Sequence, residues 1–257
     1  MTTSELQNLF ELYVINLDRS ADRWQRISQH LDGLGLYAQR ISAVDARQLS
    51  PVELSEHYNE YLNKRTFFIG LKPAEIGCFL SHRKVLQHFI DHSDKPYAII
   101  LEDDVEFSAS PLAYAEQWQQ VLTGPRATML KLYKRRPING LVVVEAHGTS
   151  ILRPHLVPLG TQSQVINRQA AKQLLQASEQ FGMPVDVAYQ QVWQHGVDVL
   201  VATPNQINEM SEAVGGSSIS GSHGLSFAYK AKRELRRSWF RAKLRCKSRF
   251  MFWQMGR

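Results

Sequence analysis

Along the chain, short continuous apolar runs alternate with stripes at helical spacing. Leu12 to Leu17 is apolar and β-rich and predicts a first strand. Asp18-Arg19-Ser20 then leaves it, with Ser20 or Asp22 as a helix cap. Trp24, Ile27, Leu31 and Leu34 recur at helical spacing, and Gly33 and Gly35 end that helix. Ala38 to Val44 predicts a second strand, and strand–helix–strand over this length implies a parallel pair. Gln48 to Thr66 is polar and reads as a partly helical excursion. Pro73 opens a strong helix with Ile76, Phe79, Leu80, Val85, Leu86 and Phe89 on one face. After Pro96, the run Tyr97-Ala-Ile-Ile-Leu101 has the continuous apolar character of a strand buried on both faces.

Further on, the pattern predicts a helix over 114–122 and a strand over 129–133. A hairpin follows, with arms at 141–144 and 150–152 around His147-Gly148. A strand-to-helix passage covers 164–176, and a helix carries Tyr189, Val192 and Trp193 before a last strand at 197–202. The class is α/β, with a mostly parallel sheet flanked by helices.

Charge divides the chain. The net charge is +6, yet Lys230 to Arg257 holds 11 Lys and Arg against the single Glu234, which leaves −4 for the rest. The division predicts a folded body over 1–214, a Gly/Ser-rich linker over 215–229 and a basic tail over 230–257. On a helical wheel Leu235, Trp239, Ala242, Cys246, Phe250 and Trp253 form one apolar stripe flanked by basic residues. That pattern suits an anionic membrane surface, with Arg236, Trp239, Arg241, Lys243 and Trp253 in contact; docking of the stripe on the body is the rival. No recognisable nucleic-acid-binding fold accompanies the tail, so nucleic acid is not the expected partner. With no apparent signal peptide and no run long enough to span a bilayer, the expected place is the cytoplasm, peripheral on the inner face of the membrane. Cys78 and Cys246 are expected to be reduced.

The apolar run at 97–101 ends in Glu102-Asp103-Asp104. Three adjacent acids repel unless a cation sits among them, and hard divalent ions favour such oxygens. Glu102 and Asp104 can share a side while Asp103 points away. The plainer reading is an acidic loop capping the next helix. Arg19 and Arg23, just past the first strand, suit phosphate or carboxylate, and Asp45 could accept from a ribose hydroxyl. Glu75 fits catalysis or the first turn of its helix. Ser81 and His82 are adjacent in a helix and point different ways, so they make a poor nucleophile–base pair. There is no Gly-x-Ser-x-Gly, no phosphate-loop motif and no Cys/His zinc spacing.

Four ordered blocks carry a resemblance: Tyr13 to Arg23, Ile41 to Asp45, Glu75 to His82 and Ile100 to Val105. Together they resemble glycosyltransferase family 25, which includes lipooligosaccharide glycosyltransferases and collagen galactosyltransferases. Gly160-Thr161, Asn167 to Ala171 and Pro184 to Asp186 are similar to its later motifs. The resemblance implies a GT-A-like (Rossmann-like) fold, a UDP-sugar donor, with galactose the family-weighted sugar, and Mn²⁺ or Mg²⁺. It places Leu17, Arg19, Arg23, Ala43, Asp45 and Asp103 at the donor, Asp104 and Glu102 at the metal, and Asp186 and Glu75 near the transfer. The implied reaction is inverting transfer to a lipooligosaccharide, lipopolysaccharide or related glycan, with Asp186 ahead of Glu75 as base. A metal-dependent phosphoesterase and an inactive sugar-nucleotide-binding scaffold are the alternatives.

Overall fold

The computed structural model describes residues 1–146, 148–210 and 227–255. Its elements run α1 (Thr3–Leu9), β1 (Phe10–Asn16), α2 (Ala21–Gly33), β2 (Gln39–Ser42), α3 (Pro51–His57), α4 (Glu60–Thr66), α5 (Pro73–His92), β3 (Tyr97–Glu102) and β4 (Val105–Phe107). They continue with α6 (Ala115–Leu122), β5 (Thr128–Lys131), β6 (Gly140–Ala146), β7 (Thr149–Pro154), β8 (Ser163–Asn167), α7 (Arg168–Ala177), α8 (Val185–Tyr189), α9 (Val192–His195), β9 (Asp198–Thr203), β10 (Ile207–Glu209) and α10 (Phe227–Met255). An eight-stranded sheet has the order β2-β1-β3-β8-β5-β9-β7-β6, and β4 pairs with β10 outside it.

The expected α/β sheet flanked by helices is what forms. The β2-β1-β3 edge is parallel, as the strand–helix–strand pattern requires, and so is β5-β9. Strand β8 enters antiparallel between β3 and β5, and β7 and β6 extend the far edge antiparallel. One apolar core cluster contains α5, α7 and one sheet face; another contains α1, α2, α6 and the opposite face. β3 is therefore buried on both sides from Tyr97 to Leu101, which explains its unbroken apolar run.

Two scaffold features aim the site. Gly77 of α5 lies so close to the chain leaving β2 that an added Cβ would stand 2.5 Å from the Val44 carbonyl oxygen. Ser81, one turn on, receives the Val44 N–H (2.8 Å), so α5 clamps that exit turn. At the other end, Asn167 caps α7, and Arg168 donates to the Ser93 and Ile90 carbonyls around the end of α5. Among the late motif residues, Asn167 and Arg168 thus serve the framework.

Some sequence expectations shift. Helix α1 was not predicted; it is short and held by a capping box between Thr2 and Glu5. The polar excursion resolves into α3 and α4. The predicted linker falls largely on 211–226, which lie outside the described residues, as does His147. Residues 227–229 belong to α10. That helix lies against the body: Phe240 meets Phe67 and Phe68 edge-on or tilted, Leu244 is buried, and Phe252 meets His155 edge to face. Among the described residues no helix is long and apolar enough to cross a membrane.

Candidate active site

The carboxyl ends of β2, β1 and β3 point the same way because the three strands are parallel. That shared end is where open α/β sheets place their ligands. β1 ends in buried Asn16, whose amide donates to Asp103 (2.7 Å) and to the Ser20 carbonyl (2.9 Å). Arg23, in the first turn of α2, reaches the other oxygen of Asp103 (3.3 Å). Burial nonetheless holds the Asp103 carboxyl above its usual range, partly offset by Asn16 and Arg23. Leu17 turns the chain by accepting the Ser20 N–H (2.8 Å), and Ala43 donates its N–H to the Asn16 carbonyl (2.9 Å).

The clamped turn after β2 carries Asp45. Arg47 forks onto both its oxygens (2.9 and 2.8 Å), and Arg19 also pairs with it. The Arg47 hydrogen bonds hold the Asp45 carboxyl far below the ordinary carboxylate range. Arg19 and Asp45, predicted on the donor side, do meet.

Across β3, the acids of the triplet diverge. Glu102 faces α5 and β8: Thr161 donates to it (2.6 Å) and His82 Nε2 lies 3.2 Å away. On the other side of the imidazole, the Gln164 amide nitrogen stands 3.2 Å from Nδ1. The ring is thus held between the Gln164 amide and the Glu102 carboxylate, with Nε2 facing Glu102. Burial opposes the charge on Glu102, but the His82 and Thr161 hydrogen bonds outweigh it and leave its carboxyl below the usual value. Ser81 meanwhile faces Val44, so the two adjacent residues serve different neighbours.

Asp104 is treated differently. Its backbone carbonyl is fixed by the Met210 N–H (2.7 Å) beside the β4–β10 ribbon, yet its Oδ1 is buried without a hydrogen-bond partner. Burial, with Glu102 and Asp103 nearby, pushes its carboxyl up to about 7. An orphaned buried carboxylate oxygen beside two further acids fits a divalent cation. Cys78, His82 and Glu102 also bring ligand atoms within 4.8 Å of one another. Burial raises the Cys78 thiol well above its ordinary value, which keeps it protonated and a poor ligand as it stands.

The facing wall is the loop before β8. Gly160 sits at φ +94°, a conformation natural to glycine, and its N–H donates to Asp186 (3.1 Å). Asp186 also accepts the Val187 N–H (2.8 Å) at the start of α8. Lys131, fully buried on β5, donates to the Gly160 carbonyl (2.6 Å) and to that of Pro158, so it pins this loop. Burial lowers its ammonium to about 8, against Asp186 and Glu102, which favour the charged form.

Of the sequence-predicted residues, Asn16's neighbours Arg23 and Asp103 meet, as do Arg19 and Asp45, while Glu102 and Asp104 line the β3 end. Glu75 takes a structural place: its carboxylate accepts the Lys72 N–H (2.8 Å) and closes the first turn of α5. Among the described hydrogen bonds it has no share in the network around Glu102. Asn16, Lys131, Thr161 and Gln164 were missed. Lys131 carried a signal, a lone cation inside the apolar run Met129 to Tyr133. Gln164, by contrast, is an ordinary polar residue until β8 is seen between β3 and β5.

The model of glycosyltransferase family 25 (LPS biosynthesis protein) matches residues 10–189. A glycosyltransferase 25 family member of Anopheles gambiae is 33% identical over 107 residues, covering 39% of this chain and 17% of its own length. Human procollagen galactosyltransferase 2 is 32% identical over 104 residues, 38% of this chain and 16% of its own. A probable inactive glycosyltransferase 25 family member 3 of Bos taurus is 28% identical over 177 residues, 64% of this chain and 28% of its own. The chain thus spans less than a third of the length of these relatives. Among solved structures, a Drosophila β-1,4-galactosyltransferase 7 mutant in complex with manganese, UDP-Gal and xylobiose aligns at a TM-score of 0.40 and 11% identity, covering 84% of this chain and 77% of that one. The family match takes in β1, the β2 exit, α5, the β3 acids and the Asp186 turn, the parts from which the site is built. This chain belongs to glycosyltransferase family 25.

Proposed function

We propose that this chain is a glycosyltransferase that moves a sugar, with galactose as the candidate, from a UDP-sugar to a lipooligosaccharide, lipopolysaccharide or related glycan acceptor in the cytoplasm. The observation that carries the reading is the buried, partnerless Asp104 oxygen at the shared end of β1 and β3, beside Asp103, Arg23 and Glu102. Asp104, with Glu102 held in place by His82 and Thr161, would hold Mn²⁺ or Mg²⁺. That ion would neutralise charge on the leaving diphosphate. Arg19 and Arg23 bind the diphosphate side, and the Ala43–Asp45 turn with Leu17 borders the nucleoside. In an inverting transfer the acceptor oxygen bonds to the anomeric carbon as the carbon–oxygen bond to the diphosphate breaks, and the bond electrons leave with the diphosphate. The acceptor proton passes to the Asp186 carboxylate, which the Gly160 and Val187 N–H groups orient. Glu75 supports α5.

The test is a screen of sugar nucleotides by calorimetry and turnover, with manganese and with a chelator. Metal-dependent transfer or donor hydrolysis with one UDP-sugar supports the proposal. Metal-independent binding without turnover favours an inactive sugar-nucleotide-binding scaffold; the Bos taurus relative bears the name of a probable inactive family member. Cleavage of simple phosphate esters favours a phosphoesterase. Near-normal turnover in Asp186→Asn would remove Asp186 as the base.

A further inference from the structure

Helix α10 has two working faces. From Arg236 through Phe240 and Leu244 to Ser248, the inner face lies on the body. Arg236 donates to the Phe67 carbonyl (2.6 Å) and to that of Lys64. Phe240 joins the small apolar cluster of Phe67, Met183 and Val187. Lys247 lies over the Trp193 ring at 5.1 Å. Arg236, expected at a membrane surface, therefore belongs to the docked face, because two carbonyls at the end of α4 take its guanidinium.

The apolar stripe predicted from the sequence points the other way. Leu235 is 72% exposed, Trp239 63%, Phe250 57% and Trp253 55%, with Ala242 and Cys246 also exposed between them. Leu235, Trp239 and Phe250 of this row face outward rather than into the core. Basic residues straddle it: Lys243 on one side, Arg245 and Arg249 on the other, with Arg241 beyond, all exposed. Lys243 reaches back so that its ammonium lies over the Trp239 ring, 5.1 Å from its centroid. The only acid from Lys230 to Arg257, Glu234, pairs with Arg233 and Arg237 at the start of the helix.

We infer that the outer face of α10 docks on an anionic lipid bilayer, lying in the interface plane while the inner face stays on the protein. The charge selects the occupant. A second copy would set this row of cations against itself. Nucleic acid would take the charge but leave the aliphatic and aromatic centre of the face exposed. An anionic headgroup layer above an acyl boundary accepts both, with aromatics at headgroup depth and cations among phosphates. Docking needs no release of the helix from the body, because the two faces are on opposite sides. The cluster that holds Phe240 includes Val187, next to Asp186 on α8, so the bound helix would be tied to α8.

The experiment is co-sedimentation of the full chain with phosphatidylcholine vesicles, with and without about a third phosphatidylglycerol. Two exposed-face variants go alongside: Trp239→Ala with Phe250→Ala, and Lys243→Gln with Arg249→Gln. Binding is expected only with the anionic lipid and should fall in high salt. The charge variant should lose roughly 30-fold in partitioning, from about two cation–headgroup contacts, and the aromatic variant tenfold or more, with unchanged melting temperatures. A wild-type chain left in the supernatant with anionic vesicles overturns the inference, as does equal pelleting of wild type and both variants. Self-association in sedimentation equilibrium that the aromatic variant abolishes, without vesicle binding, would assign the face to a second copy. None of these readouts depends on sugar transfer, so failure here and failure of the proposed activity are distinguishable.

Discussion

Asp45 and Asp104 occupy matching places, one strand to either side of β1 at the same end of the sheet, and the fold treats them in opposite ways. Asp45 is forked by Arg47 and paired with Arg19, and its carboxyl is held ionised far below the usual range. Asp104 has an orphaned buried oxygen and two acidic neighbours, and its carboxyl rises to about 7. One carboxylate has its cations built into the chain; the other has no ion pair among the described residues, and it is the one proposed to take a cation from outside. A strand end rich in acids is thus not one kind of site. The local cation supply decides which acids are finished structure and which are left for a ligand.

The sharpest break of that contrast is Asp104→Asn. We expect metal-dependent transfer to fall by about 10²–10³-fold, with a melting temperature equal to or above wild type, because the substitution removes a buried charge. Full activity in this variant would end the metal assignment. Next is His82→Ala, which withdraws a donor from half-buried Glu102. Turnover should drop about 10–100-fold, as when a supporting partner of a metal ligand is lost, and stability by about 1–3 kcal/mol. His82→Gln, able to donate to Glu102, should recover part of both; equal loss in the two variants would show that the ring only fills space.

Gly77→Ala tests the other side of the comparison. Its Cβ would press on the Val44 carbonyl, so the turn carrying Asp45 must shift. A stability loss of about 1–3 kcal/mol and a raised KM for the sugar nucleotide with little change in kcat are expected. Unchanged KM would detach Asp45 from the donor. The smallest effect is on pH. In metal-free protein the folded Asp104 keeps its proton to about pH 7, whereas the unfolded chain releases it near 3.8. The folded state therefore binds more protons between these values, and this group makes stability decline as pH rises from 4 to 7. Asp45 acts oppositely: its contribution is present above 3.8 and is lost as pH falls below it. Melting temperatures of wild type and Asp104→Asn across pH 4–7, with chelator, should diverge at the alkaline end, wild type lower. Parallel curves would show that Asp104 is not the strained member of the pair.

The sequence by itself determined a good deal. Continuous apolar runs marked β1 and β3, helical stripes marked α2 and α5, and the strand–helix–strand spacing required the parallel edge. Ordered motifs then pointed to Arg19, Arg23, Asp45, the triplet at 102–104 and Asp186, and the wheel of the tail showed the stripe that α10 leaves exposed. These are features of local period and of residue type, which a linear chain carries openly. Tertiary structure alone decided the antiparallel entry of β8 beside β3, which brings Gln164 to His82 and Thr161 to Glu102 from residues far along the chain. It decided that Lys131 holds the Gly160 loop and that Glu75 caps its own helix. It also divided the tail into a docked face through Phe240 and Leu244 and an outer face through Trp239. The physical reason is common to all of these. A side chain's charge state and duty depend on which distant groups replace the water around it, and that replacement is specified only when the strands are in register.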